Sequence, residues 1–137
     1  LGLEGHVLHA QSEREFEAAF EAARKVRAEA MVVMISPTYV GKRDELVRLA
    51  ARYRMPAIYH SPAFTEVGGL IAYGPSLDEQ WQKIAGTIDR ILKGARAADL
   101  PFQQPTRFEL DVNLKAARDI GRDIPQSILL RANRVTE

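Results

Sequence analysis

The sequence predicts an α/β fold, a mainly parallel sheet with helices on its faces, and three observations carry that expectation. Short apolar runs alternate with segments of helical period through the first half of the chain, the connections between them are short, and Ser-Pro, Gly-Gly and Gly-Pro turns bound the runs. Alternation with close connections is what right-handed strand-helix-strand crossovers require. At 137 residues with 46% hydrophobic content, the chain is long enough for one compact unit with a core and short for two.

Taken in order, Leu3 to His9 mixes Leu3, Val7 and Leu8 with Gly5 and reads as a short strand before the polar Gln11-Ser12 turn. Ser12 and Glu15 have capping-box spacing, and Phe16, Ala19, Phe20, Ala23 and Val26 recur at helical period, so a helix is expected from about Glu13 to Ala28. Met31 to Ile35 is a continuous apolar run too short for a helix, as a strand buried on both faces would be, and Ser36-Pro37-Thr38 stops it. Leu46, Leu49, Ala50 and Tyr53 give a second helix from Lys42, closed by Met55-Pro56. Ala57-Ile58-Tyr59 and Leu70 to Tyr73 are the next two strands.

Ser76 and Glu79 form a second capping-box pair ahead of the cleanest helical stripe in the chain, Leu77, Trp81, Ile84, Ala85, Ile88, Ile91 and Leu92, which Gly94 ends. By pattern alone, such a stripe packs on the sheet. Ala95 to Pro105 has no period and reads as a surface connector. Phe108, Leu110 and Val112 alternate with Arg107, Glu109 and Asp111, as in a strand with one wet face. Asn113 caps a short helix through Ile120 that Gly121 ends, and another helical turn or two covers Ser127 to Asn133.

Several chemistries are excluded or disfavoured. Nineteen Lys and Arg against eighteen Asp and Glu, interspersed along the chain, give no electrostatic reason to bind nucleic acid. The absence of cysteine removes thiolate nucleophiles and Cys-based metal sites. His6 and His9, three apart on an expected strand, point to opposite faces and cannot both grip one ion. His60 is adjacent to Ser61 rather than across from it and has no carboxylate partner by spacing, so it reads as pocket-lining or loop-packing. The glycines match no phosphate-binding loop. No catalytic residue, metal site or cofactor is expected.

What remains is three strand ends bearing small polar and aromatic groups: Ser36-Pro37-Thr38-Tyr39, His60-Ser61-Pro62-Ala63-Phe64 and Ala72-Tyr73-Gly74. In a parallel sheet these lie along one edge, where hydroxyls and rings can orient a small organic ligand. The same residues also serve as turn formers, and pattern alone leaves both readings open.

Three groups of residues also resemble a known family. They are Glu66-Val67-Gly68-Gly69-Leu70-Ile71-Ala72-Tyr73-Gly74; Ile91-Leu92-Lys93-Gly94-Ala95 with Asp99-Leu100-Pro101; and Gln104-Pro105-Thr106-Arg107-Phe108-Glu109-Leu110 with Asn113-Leu114-Lys115-Ala116-Ala117 and Ile124-Pro125. Together with Leu49 to Tyr59 they look like the carboxyl-terminal part of ABC-transporter substrate-binding proteins of the tryptophan/tyrosine-binding-like group.

The resemblance implies a partial type I periplasmic-binding-protein fold, mostly the Rossmann-like second lobe, in a non-catalytic solute-binding component of an importer. Its partners would be a small organic solute, such as an amino acid, and a membrane permease, in a periplasmic or extracellular membrane-associated location. An effector-binding sensory domain of a regulator is the alternative use of the same fold. Ligand contacts would come from Ser36, Tyr39, Ser61, Phe64 and Tyr73.

Residues 1–74 would then be the βαβ part of the second lobe, 75–105 a helix and connector crossing toward the other lobe, and 106–137 a closing strand and short helices, in one compact unit. The opening Leu1-Gly2-Leu3, with neither methionine nor basic signal start, reads as a piece of something longer. An uncovered stripe on the Trp81 helix would make such a fragment self-associate as a homodimer.

Overall fold

Phe16, Phe20 and Ala23 fall on one stripe of Glu13–Lys25, which in the computed structural model is helix α1 with these three residues buried. The structure describes residues 2–137. Strand β1 (Met31–Val33) follows, then a short helix α2 (Pro37–Gly41) and helix α3 (Arg43–Arg52), which buries Leu46, Val47, Leu49 and Ala50. Strand β2 (Ala57–Tyr59), helix α4 (Pro62–Thr65) and strand β3 (Ile71–Pro75) complete the first half. Helix α5 (Leu77–Leu92), a 3₁₀ turn at Ala97–Asp99, strand β4 (Phe108–Asn113), helices α6 (Leu114–Asp119) and α7 (Gln126–Leu129) and strand β5 (Arg134–Thr136) make up the rest.

The five strands lie in sequence order. β1, β2 and β3 are parallel, β4 runs antiparallel to β3, and β5 is parallel to β4, so the sheet is mixed. The reversal arises because α5 and the connector bring the chain back beside β3 at the same end that β3 left, Phe108 lying opposite Pro75. Pairing register fixes two rows of side chains across the sheet. Val33, Tyr59, Ala72, Asp111 and Arg134 share one face, and Val32, Ile58, Ile71, Val112 and Val135 share the other.

The first face carries the main core. Phe16 and Phe20 of α1, the buried residues of α3, Met55, Ala57, Tyr59 and Phe64 form one cluster there. A smaller cluster joins Leu70 to Ala117 and Ile120. On the second face Val32 is 66% exposed and Tyr73 52% exposed, while Ile58 and Ile71 are half-buried and Val112 is buried, so this side of the sheet is bare at β1 and at the end of β3 rather than throughout.

Four expectations are corrected. Leu3 to His9 forms no strand and is exposed, because no described strand lies beside it to satisfy its backbone. The α5 stripe does not pack on the sheet: α5 buries none of its residues, and Leu77, Trp81, Ile84, Ile88 and Ile91 are exposed together. Neither capping box closes in full. Glu15 accepts from Gln11 N–H and the Ser12 hydroxyl, but the Ser12 side chain caps nothing, and Ser76 likewise makes no side-chain cap. The helix placed over Ser127 to Asn133 is shorter, and its last residue instead leads into β5; Asn133 Oδ1 accepts from Leu110 N–H at 2.8 Å. The Asn113 cap is present, its Oδ1 accepting from Ala116 N–H at 2.9 Å.

Candidate functional site

Because β1, β2 and β3 are parallel, their carboxyl ends lie along one edge of the sheet. β1 and β2 leave it in the same way, through a Ser-Pro step into a short helix: Ser36-Pro37 starts α2 and Ser61-Pro62 starts α4, each with proline at the first turn. Proline there fixes the backbone and gives up no needed donor. The two serines differ in what holds them. Ser61 accepts from Ala63 N–H at 3.3 Å, while the Ser36 side chain makes no capping bond and is partly exposed.

β3 ends differently. Tyr73 is followed by Gly74, which lies so close to β2 that a Cβ there would sit 2.1 Å from the His60 carbonyl oxygen. Only glycine allows that approach. Tyr73 projects, exposed, on the second face, with its ring stacked on Phe108 at 5.6 Å between centroids.

The two remaining expected contact residues are committed elsewhere. Phe64 is fully buried and stacks on Tyr59 at 4.6 Å, with Gly69 pressed against its carbonyl, so its ring supports the edge from beneath and forms no wall of it. Tyr39 turns back toward α1: its hydroxyl donates to the Ala10 carbonyl at 2.8 Å and its ring meets Phe16 edge-on. The edge itself therefore brings together Ser36, Ser61 and Tyr73, with Tyr39 and Phe64 behind them.

His60 is the titratable group of this edge. Burial pulls its imidazole below the usual histidine value, offset in part by the Val33 backbone, and its ring meets Phe64 edge-on at 5.5 Å. Its Nδ1 is buried without a hydrogen-bond partner. A neutral ring in that position can give or take one hydrogen bond, but no carboxylate or nucleophile is paired with it. Among the described residues no group of three His, Asp or Glu side chains could hold a metal ion.

Phe108 is the residue that sequence reasoning passed over at this site. Its signal was present: two aromatics, Tyr73 and Phe108, stand at the ends of strands that turn out to be neighbours. A groove of about 350 Å³ lies at the opposite end of the strands, and its lining includes Arg24, Arg27, Arg54 and Arg122. Arg24 and Arg27 stand by the end of α1, Arg54 by the end of α3 and Arg122 just past α6, where cations offset the helix dipoles.

The chain belongs to the ABC transporter substrate binding protein family, whose model matches residues 1–136. No curated protein matches the chain. Among solved structures it is similar to an ABC domain in complex with L-Trp from Streptococcus pneumoniae, at 25% identity and a TM-score of 0.84, over 98% of this chain and 46% of that one. It is also similar to a conserved domain protein from Vibrio cholerae, at 20% identity and TM-score 0.82 over 93% of this chain and 43% of that one. The third is a ligand-free, open substrate binding protein with adhesive properties from Clostridium difficile, at 16% identity and TM-score 0.64, covering 91% and 41%. The chain thus spans less than half the length of each.

Proposed function

We propose that this chain supplies one wall of the cleft of a non-catalytic solute-binding component of an ABC importer, and that its solute is a small organic molecule of the amino-acid class. Family membership over residues 1–136 supports the binding role, and one observation supports the solute class: an uncommitted serine and an exposed aromatic pair along one sheet edge. Ser36 and Ser61 would hydrogen-bond the polar end, and the Tyr73–Phe108 pair would offer a ring face to an apolar or aromatic side chain. The L-Trp held by the pneumococcal relative is consistent with that class.

In this reading residues 75–105 belong with the opposite lobe, and the bare stripe of α5 is the surface that meets it. A cleft encloses its ligand between two walls, so residues 2–137 alone bind solute weakly. Alone, they pair through the α5 stripe as a homodimer. The permease would be met by the whole protein, in a periplasmic or extracellular setting; no helix of the described residues is long and apolar enough to cross a membrane.

The test is calorimetric titration of the full two-lobed protein with a panel of amino acids that includes L-Trp. Binding at micromolar level, weakened at least tenfold by Tyr73→Ala and by Ser36→Ala, is the expected result. A panel that yields no binding, or binding indifferent to both substitutions, refutes the assignment.

A further inference from the structure

The chain leaves the sheet through β3 into α5 and comes back through the connector into β4, and the two crossings are joined well past the end of their ladder. Pairing runs to Pro75 opposite Phe108, and the Ser76 N–H then donates to the Arg107 carbonyl at 2.9 Å. Beyond that point side chains take over. Glu79, in the first turn of α5, accepts the Thr106 N–H at 3.1 Å and the Arg107 N–H at 3.0 Å on Oε2, and the Thr106 hydroxyl on Oε1. Lys83, one turn later, donates to the Gln104 carbonyl at 2.8 Å and lies 2.8 Å from Glu79 Oε1.

Both side chains are well covered, Glu79 at 19% and Lys83 at 28% exposure. A carboxylate that collects two backbone N–H groups, a hydroxyl and an ammonium is held by charge-assisted bonds, about twice as strong as neutral ones. The acid strength agrees: hydrogen bonds from Lys83, Thr106 and Arg107 hold the Glu79 carboxyl at a pKa of about 2. Nothing in helix capping requires this, since Glu79 does not reach back to the Ser76 backbone but turns toward the returning strand.

We infer that Glu79 is a positioning residue which, with Lys83, splints the outgoing crossing to the returning one, so that the start of α5 and Gln104–Arg107 turn as one body. Any swing of α5 against the sheet then carries the returning strand with it, and two independent hinges are reduced to one. The splint is a property of this chain; its bearing on solute capture rests on the two-lobe reading above.

The sequence contains no cysteine. Glu21→Cys on α1 and Arg90→Cys on α5, both exposed positions, therefore place two spin labels without background. In the parent, dipolar spectroscopy should give one narrow distance distribution. Glu79→Gln keeps the side chain's size and removes its charge; the distribution should at least double in width, and amide exchange at Thr106 and Arg107 should quicken at least tenfold while β1 and β2 keep their rates. Lys83→Met should move both readouts the same way by less, and it decides the matter by the same criteria if Glu79→Gln fails to fold. An unchanged width, or exchange that quickens equally throughout the sheet, overturns the splint. Neither readout needs a solute, so a parent protein that binds no amino acid counts against the ligand assignment alone.

Discussion

An alanine at position 74 tests how tightly β2 and β3 are drawn together beside the candidate site. Its Cβ would stand 2.1 Å from the His60 carbonyl oxygen and 3.1 Å from the His60 carbonyl carbon. The neighbour is backbone, so no rotamer change relieves it, and the strands must part by about 1 Å to reach the shortest contact that real Cβ atoms make. Overpacking of this kind costs about 1–3 kcal/mol. Loosening one ladder hydrogen bond adds about 1 kcal/mol, for a loss of about 2–4 kcal/mol. Gly86→Ala is the control: it sits inside α5 with nothing within 4 Å of the added Cβ, and helix propensity there favours alanine by about 1 kcal/mol. Urea unfolding followed by far-ultraviolet circular dichroism should thus move the two variants in opposite directions. A Gly74→Ala protein within about 0.5 kcal/mol of the parent would show that β2 and β3 separate freely, and the argument for a tight edge would fail.

Phe64→Ala should lose about 3–5 kcal/mol in the same assay, the range for truncating a buried aromatic, whereas Tyr73→Ala should change stability by under about 1 kcal/mol; the reverse order would contradict the assignment of Phe64 to the core. Tyr39→Phe should cost about 1 kcal/mol and quicken amide exchange in the segment before α1, because the hydroxyl tied to Ala10 is lost. Equal exchange in the two proteins would mean that this bond does not hold the segment. Both titratable groups at the site and the splint have lowered folded values, so each stabilises the fold above its unfolded value and loses that contribution as pH falls toward the folded one. Stability should therefore drop below pH about 6.5 in the parent but less in His60→Gln, and again from about pH 4.5 down to 2 but less in Glu79→Gln. Profiles that superimpose on the parent's would refute either linkage.

Much of the architecture was legible because hydrophobic period and chain punctuation agreed locally. Phe16, Phe20 and Ala23 read as one buried helical face and form one. Where the reading failed, the deciding contacts came from distant parts of the chain. Leu3 to His9 has strand composition but no partner beside it, and composition cannot supply one. The α5 stripe has the period of a core helix, and period alone does not say which surface it meets. β5 escaped notice because its place depends on Arg134, which pairs with Asp111 through Nε at 2.9 Å and joins Thr65 across the sheet. At the site, Ser36, Ser61 and Tyr73 were legible as strand ends; the inward turn of Phe64 was not, since it depends on stacking against the Tyr59 ring and on Gly69, whose lack of a Cβ lets its backbone close on the Phe64 carbonyl.

The shortness of β1 has a consequence for the molecule in solution. Among the described residues β1 pairs with β2 alone, so its other side presents free backbone donors and acceptors along Met31–Val33, followed by exposed Met34 and Ile35. A sheet border of that kind recruits further strands and can seed ordered aggregates. Three residues offer too few hydrogen bonds to template such growth, and Ser36-Pro37 turns the backbone out of line immediately afterwards. Lengthening β1 past Ser36, by replacing Pro37, would remove that safeguard and leave a sticky border where the protein now has a blunt one.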